Sequence, residues 1–207
     1  MSADPKDRDW AGYYAKTVDR PPRATLMIAL DRFAADPDGE PLFAVDLGSG
    51  AGRDAIEMLR RGWRVLAIDA EPDAIEALKA RPDLPPDADL TGMVSRFEDA
   101  TWPSCDLVNS SFALPLCAPS DFAGVWQRIE SSLRPGGRFA GQLYGERDSW
   151  AGRDGMTFHM RTEVESLLEG FEVEHLEEEE DDSVTPRGEA KHWHVFHIVA
   201  RVSSSGT

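Results

Sequence analysis

Asp46, the glycines at 48, 50 and 52, and Asp69 are the residues of this chain whose types and spacing most directly imply chemistry. They lie in Phe43-Ala-Val-Asp-Leu-Gly-Ser-Gly-Ala-Gly-Arg-Asp54 and in Arg64-Val-Leu-Ala-Ile-Asp69. Glycines in such a loop let the backbone turn sharply, adopt positive φ and approach a ligand with no Cβ between. A carboxylate at the tip of the second strand, here 19 positions after Gly50, can hold a ribose diol by paired acceptor hydrogen bonds. Asp46 bears on which nucleoside is held. A carboxylate just before the glycines would repel a diphosphate placed at the helix N-terminus. The same carboxylate would attract a ligand carrying an ammonium and a sulfonium, directly or through water.

These groups need a strand on each side of a helix, and the pattern supplies both. Leu42 to Leu47 is an apolar run broken only by Asp46, and helical spacing follows in Ala55, Ile56 and Leu59, with Gly62 as the stop. Residues 64–69 form the second strand. Pro72 opens a helix to about Ala80, and strands are expected over 90–94 and 105–110. A helix from Ser120 reaches Leu133, with Arg134-Pro-Gly-Gly137 as its stop, before a strand over 137–145. A helix over about 162–169 and strands over 171–177 and 193–202 close the chain. Alternating strands and helices point to an α/β fold with an open, mostly parallel sheet. No internal repeat is evident, so residues 1–207 read as a single domain. Within it, 1–36 form an N-terminal helical cap and 42–202 the core.

Val-Asp-Leu-Gly-Ser-Gly-Ala-Gly resembles motif I of class I S-adenosylmethionine-dependent methyltransferases, and Ala-Ile-Asp-Ala-Glu-Pro resembles their ribose-binding strand end. Leu133-Arg-Pro-Gly-Gly-Arg-Phe is similar to the turn before their fifth strand. The resemblance implies a Rossmann-like, seven-stranded sheet whose last strand is antiparallel, with helices on both faces, and S-adenosylmethionine as cofactor. It assigns Asp46, Gly48, Ser49, Gly50 and Arg53 to the cofactor loop, and Asp69 with Ala70 to the ribose. Phe97 and Glu98 (or Asp99) would meet the adenine, and Ser110 would sit beside the methyl donor. Asn109-Ser-Ser-Phe-Ala-Leu-Pro115 stands where relatives that methylate amino groups of bases carry an Asp-Pro-Pro-Tyr signature. That departure argues against such substrates.

The N-terminal Trp10, Tyr13 and Tyr14 resemble a segment of small-molecule methyltransferases related to the tellurite-resistance and thiopurine enzymes. Tyr14 is a candidate for the cofactor carboxylate, and Trp10 for a lid over the acceptor; the other reading is a helix packed on the sheet edge through its rings. Phe112, Arg147 and Trp150 are candidate acceptor-pocket residues, and Tyr144 a candidate general base. The implied activity is methyl transfer to a small molecule. Another reaction on the same cofactor, such as cyclisation, would share every motif, as would a non-catalytic binding protein. A nicotinamide-dependent oxidoreductase fits less well.

The net charge of −16 argues against a nucleic-acid partner, because no basic stripe offsets it. No apolar run reaches membrane-spanning length, and the N-terminus is too polar for a signal peptide. A cytoplasmic monomer or homodimer is expected, with Cys105 and Cys117 as reduced, buried thiols. Glu177-Glu-Glu-Glu-Asp-Asp182 reads as a solvated hairpin tip. His192, His194 and His197 alternate so that only the first two share a face of a strand, and no metal is expected.

Overall fold

The computed structural model describes residues 12, 17, 18, 20–35, 42–185 and 188–203. In chain order the elements are α1 (Ala24–Ala34), β1 (Phe43–Leu47), α2 (Ala55–Arg60), β2 (Arg64–Asp69), α3 (Pro72–Lys79), β3 (Leu90–Val94) and β4 (Cys105–Ser110). A 3-10 turn (Leu114–Leu116) leads to α4 (Pro119–Ser132), β5 (Leu133–Gly145), β6 (Phe158–His159), α5 (Arg161–Leu167), β7 (Phe171–Val184) and β8 (Ala190–Val202). The sheet runs β3-β2-β1-β4-β5-β8-β7, with two-residue β6 beside the end of β5. β8 is antiparallel to both neighbours, and the other pairings are parallel.

Strands buried on both faces read as continuous apolar runs, and β1 is buried at all five positions. Alternate residues still divide between two cores. Val45, Leu47, Leu66, Ile68, Val108, Phe139 and Ile198 face α4 and α5 through Phe122, Trp126, Ile129 and Val164. Ala44, Val65, Ala67, Leu107, Ala140 and Val199 face α1, α2 and α3 through Leu26, Leu30, Ile56, Leu59, Ile75 and Leu78. This period of two fixes which side chains of each strand can reach a given face. Because β2 and β4 flank β1 on opposite sides, the chain's order reverses at β1, and a crevice opens at the strands' C-terminal ends.

The structure departs from the sequence reading at three places. The sheet has eight strands, since β6 is too short to leave a pattern. The 105–110 and 64–69 strands stand as expected, but β5 begins at Leu133, directly after α4, with an irregular register between Cys105 and Leu107. The third departure is the acid run 177–182, which belongs to strand β7 and is no hairpin tip. Glutamate is a poor strand former. Here β8 supplies the partner, with Glu179 opposite Val195 and Asp181 opposite Trp193. Arg147, Arg161, His192, His194 and His197 offset the acids through contacts with Glu178, Glu179, Glu180 and Asp182.

Among the described residues no helix is long and apolar enough to cross a membrane. Cys105 and Cys117 are free and buried, and burial pushes each thiol up to about 12.

Candidate functional site

At the ends of β1, β2 and β4 the backbone encloses a cavity of about 230 Å³. The loop after β1 forms its floor. Gly48 N and Ser49 N donate to Ile68 O at 2.8 and 3.1 Å, and Gly50 N donates to Asp69 Oδ2 at 2.8 Å. Gly48 has φ +74°, and a Cβ there would lie 2.2 Å from the Ala113 Cβ. Neither the conformation nor the space admits another residue. Asp69 accepts from Glu71 N through Oδ1 at 2.9 Å, so its carboxylate ties the two strand ends together at the cavity wall.

Three carboxylates face the cavity from inside the protein: Asp46, Asp54 and Asp69 are 2, 4 and 7 % exposed. The Asn109 amide donates to Asp46 Oδ1 at 2.8 Å and to Asp54 Oδ2 at 3.3 Å. Asp54 Oδ1 accepts from Arg23 N at 3.0 Å, and Oδ2 accepts from the Ser111 hydroxyl. Asp46 Oδ2, Ser49 Oγ and Asn109 Oδ1 are buried and have no hydrogen-bond partner among the described residues. Desolvation, reinforced by the Asp54 and Asp69 charges, pushes the Asp46 carboxyl up to about 8, against the opposing Asn109 and Ala55 hydrogen bonds. Buried acceptors of this kind are costly without donors, and a donor-bearing, positively charged group in the cavity would offset that cost.

Phe112 turns the chain over the cavity with φ +57°, a conformation a bulky side chain rarely adopts. Its N–H donates to Gln142 Oε1 at 3.1 Å, and Gln142 Nε2 donates to Thr25 Oγ1 at 2.8 Å. The Arg23 guanidinium stacks on the ring at 4.2 Å from its centroid. Strain of this order, about 1–3 kcal/mol, persists only where surrounding contacts enforce it.

Of the residues singled out in the sequence, Asp46, Gly48, Ser49, Gly50, Arg53, Asp69, Ala70, Phe97, Glu98 and Phe112 line this cavity. Asp99 does not. Arg53 Nε donates to Pro21 O at 2.6 Å, and Glu98 pairs with Arg96. Arg128 holds the Phe97–Glu98 turn by donating to Phe97 O at 3.0 Å and Glu98 O at 3.4 Å. Ser110 is fully buried, its hydroxyl bonded to Leu47 O at 3.0 Å; the hydroxyl at the cavity is that of Ser111.

Tyr144, Trp150 and Arg147 stand outside the lining. The Tyr144 and Trp150 rings, with Trp193, surround the Lys191 ammonium at 5.0, 4.1 and 4.3 Å from their centroids. Lys191 is itself ion-paired to buried Asp148. Arg147 lies at the surface, bound to Glu178 and Glu180 at 2.8 Å. Trp10 and Tyr14 lie outside the described residues, as does Tyr13. Asp54, Arg23, Asn109 and Gln142 join the site although sequence reasoning gave them no role, and Ser111, which follows the fourth strand with Ser110, is the serine that reaches the cavity. For Asp54 a signal existed, a carboxylate eight residues after Asp46 at a helix start. For the others only the tertiary fold brings them in.

Residues 44–137 match a family model described as a methyltransferase domain. No curated protein sequence matches the chain. Among solved structures, TehB from Haemophilus influenzae superposes with a TM-score of 0.72 at 13 % identity over 86 % of this chain. The chain spans 62 % of the length of that TehB chain. Magnesium protoporphyrin IX methyltransferase from Synechocystis, solved with bound S-adenosylmethionine, gives 0.64 at 16 % identity, covering 86 % of this chain and 78 % of its own. The 1,6-didemethyltoxoflavin-N1-methyltransferase of Burkholderia thailandensis, solved with 1,6-didemethyltoxoflavin and S-adenosylhomocysteine, gives 0.60 at 21 % identity, covering 87 % and 79 %. At such identities these likenesses speak for the fold.

Proposed function

We propose that this chain is an S-adenosylmethionine-dependent methyltransferase, a reading supported by the methyltransferase-domain match over residues 44–137, and that it methylates a small-molecule acceptor bound against Phe112. The observation that carries the reading is the cavity itself. It combines a glycine floor, a strand-end carboxylate and a buried acid that no cation among the described residues neutralises. The residues present fit S-adenosylmethionine: Asp69 offers acceptor oxygens to ribose hydroxyls, Phe97 an aromatic wall to the adenine, and Asp46 a negative centre to the cationic methionine end. When bound, the cofactor supplies an electrophilic methyl group on a positively charged sulfur.

The protein's part is alignment and dryness. Phe112, Leu116 and Val18 give the acceptor an apolar wall, and the Arg23 guanidinium on Phe112 gives that wall a cationic rim. Holding acceptor and donor in line removes translational and rotational freedom before reaction, the source of most of the expected acceleration. A thiol or chalcogen acceptor needs no base in this arrangement. Tyr144 acts as support behind Phe112, whose ring it meets edge-on at 6.2 Å. The absence of a basic stripe supports a small acceptor over nucleic acid. The acidic charge suits a cytoplasmic protein, monomeric or homodimeric, with residues 42–202 as one catalytic domain.

The reading is tested by incubating the protein with S-adenosylmethionine, with and without a panel of thiol, phenol and amine acceptors, and following products by mass spectrometry. S-adenosylhomocysteine should form only when an acceptor is present, together with its methylated product. Consumption of the cofactor without acceptor, to any other product, would favour the alternative chemistry.

A further inference from the structure

Asp46 and Asp54 converge on one side-chain amide with no cation of the described residues between them. Asn109 Nδ2 donates to both, and neither carboxylate forms an ion pair among the described residues. Arg23 reaches Asp54 only through its backbone N–H, its guanidinium being stacked on Phe112. Elsewhere on the lining, Asp69 and Glu71 add negative charge beyond β2, Arg53 bonds the Pro21 carbonyl, and Arg96 is consumed by Glu98. Asp46 Oδ2 has no donor among the described residues. Two buried carboxylates so arranged cannot both carry full charge cheaply, and a proton on one relieves the other. Asp54 accepts three hydrogen bonds through its two oxygens, and Asp46 only those to its inner side, so the proton resides on Asp46.

We propose that the Asp46–Asn109–Asp54 cluster is a charge-selecting device, holding one proton on Asp46 in the free protein and releasing it to solvent when the sulfonium-bearing cofactor enters. Asp54 is its specificity-determining member, since its charge adds to burial in keeping the proton on Asp46. The step balances as a carboxyl group becoming a carboxylate plus a proton taken up by buffer. The consequence is discrimination between cofactor and product. S-adenosylhomocysteine has the same amino and carboxylate groups but a neutral sulfur. It therefore pays less well for the lost proton, and re-protonation of Asp46 favours its departure. The inference rests on the cofactor reading above and extends it to the order of events at the end of each turnover.

Calorimetric titration in buffers of different ionisation enthalpy counts the protons released on binding. The wild-type protein at pH 7 should release close to one proton with S-adenosylmethionine and clearly fewer with S-adenosylhomocysteine. Its preference for S-adenosylmethionine over the product should rise roughly tenfold between pH 6 and pH 8, as Asp46 loses its proton without help. The two ligands' amino groups are titrated without protein, and their own ionisation is subtracted from that ratio. In Asp54→Asn both the proton release and the pH dependence of the preference should fall clearly below the wild-type values, burial alone sustaining the remainder. Equal proton counts for the two ligands, or a preference flat with pH, would overturn the device while leaving the cofactor reading intact. Failure of the wild-type protein to bind S-adenosylmethionine would remove both. The wild-type proton count decides the matter even if Asp54→Asn does not fold.

Discussion

At the C-terminal ends of β1 and β4 the carboxylates of Asp46 and Asp54 are buried and, among the described residues, meet only neutral donors. Along the β7–β8 hairpin, Glu178, Glu179, Glu180 and Asp182 are bound by arginines and histidines, in several cases at the surface. The same chemical group is left charged and satisfied in one region and uncompensated in the other. Stability alone would select the first arrangement. The second makes sense where a ligand brings the missing charge, and it marks the cavity as the place where this protein's binding energy is spent.

The sharpest separation of the two regions comes from Lys191, whose side chain is buried against Asp148 within the rings of Tyr144, Trp150 and Trp193. Lys191→Met leaves the Asp148 charge without its counter-ion and should cost about 3–5 kcal/mol, measured by denaturant unfolding. Affinity of the folded fraction for S-adenosylmethionine should stay within a few-fold, because neither residue lines the cavity. Gly48→Ala acts on the other region. Its Cβ would meet Ala113 at 2.2 Å in a left-handed conformation. We expect at least about 2 kcal/mol of destabilisation together with loss of cofactor binding, so a variant that binds normally would refute the close-packed loop.

A smaller contrast lies in pH. Burial and the Asp54 charge raise the Asp46 carboxyl from 3.8 to about 8, so the folded state binds a proton that the unfolded state has lost. Its contribution to stability is complete below pH 3.8 and declines as pH rises towards 8. Glu178 is lowered from 4.5 to about 2, by hydrogen bonds from His194 first and from Arg147 and Arg161 after it. Its contribution is complete above pH 4.5 and is lost as pH falls towards 2. Comparing unfolding midpoints of the wild-type protein with those of Asp46→Asn and Glu178→Gln across pH should give slopes of opposite sign. Smallest of all, Tyr144→Phe should leave turnover within a few-fold, and a collapse of activity would return that hydroxyl to the chemistry.

Much of this was legible in sequence, and the reason is locality. The glycine floor, Asp46 and Asp69 sit within one strand–helix–strand unit, where spacing along the chain translates directly into position. Helix and strand positions outside the last third follow the apolar pattern for the same reason. What failed needed contacts between distant segments. Ser110 and Ser111 are one residue apart, yet alternation sends the first to the Leu47 carbonyl and the second to Asp54. Tyr144 ends a strand at the right height but faces Lys191. The acids of 177–182 look like loop residues until β8 and its histidines are set beside them. Gln142 and Thr25, 117 positions apart, jointly hold the Phe112 turn, and no local pattern announces that.

The central claim is that this cavity holds S-adenosylmethionine through its strand-end carboxylate. Calorimetric titration of the wild-type protein and of Asp69→Ala tests it most directly. The wild-type protein should bind with a dissociation constant of micromolar order. The substitution, which also removes the acceptor of Gly50 N and Glu71 N, should weaken binding by about a hundredfold or more while the protein stays folded by circular dichroism. No binding by folded wild-type protein, or undiminished binding by Asp69→Ala, would contradict the account.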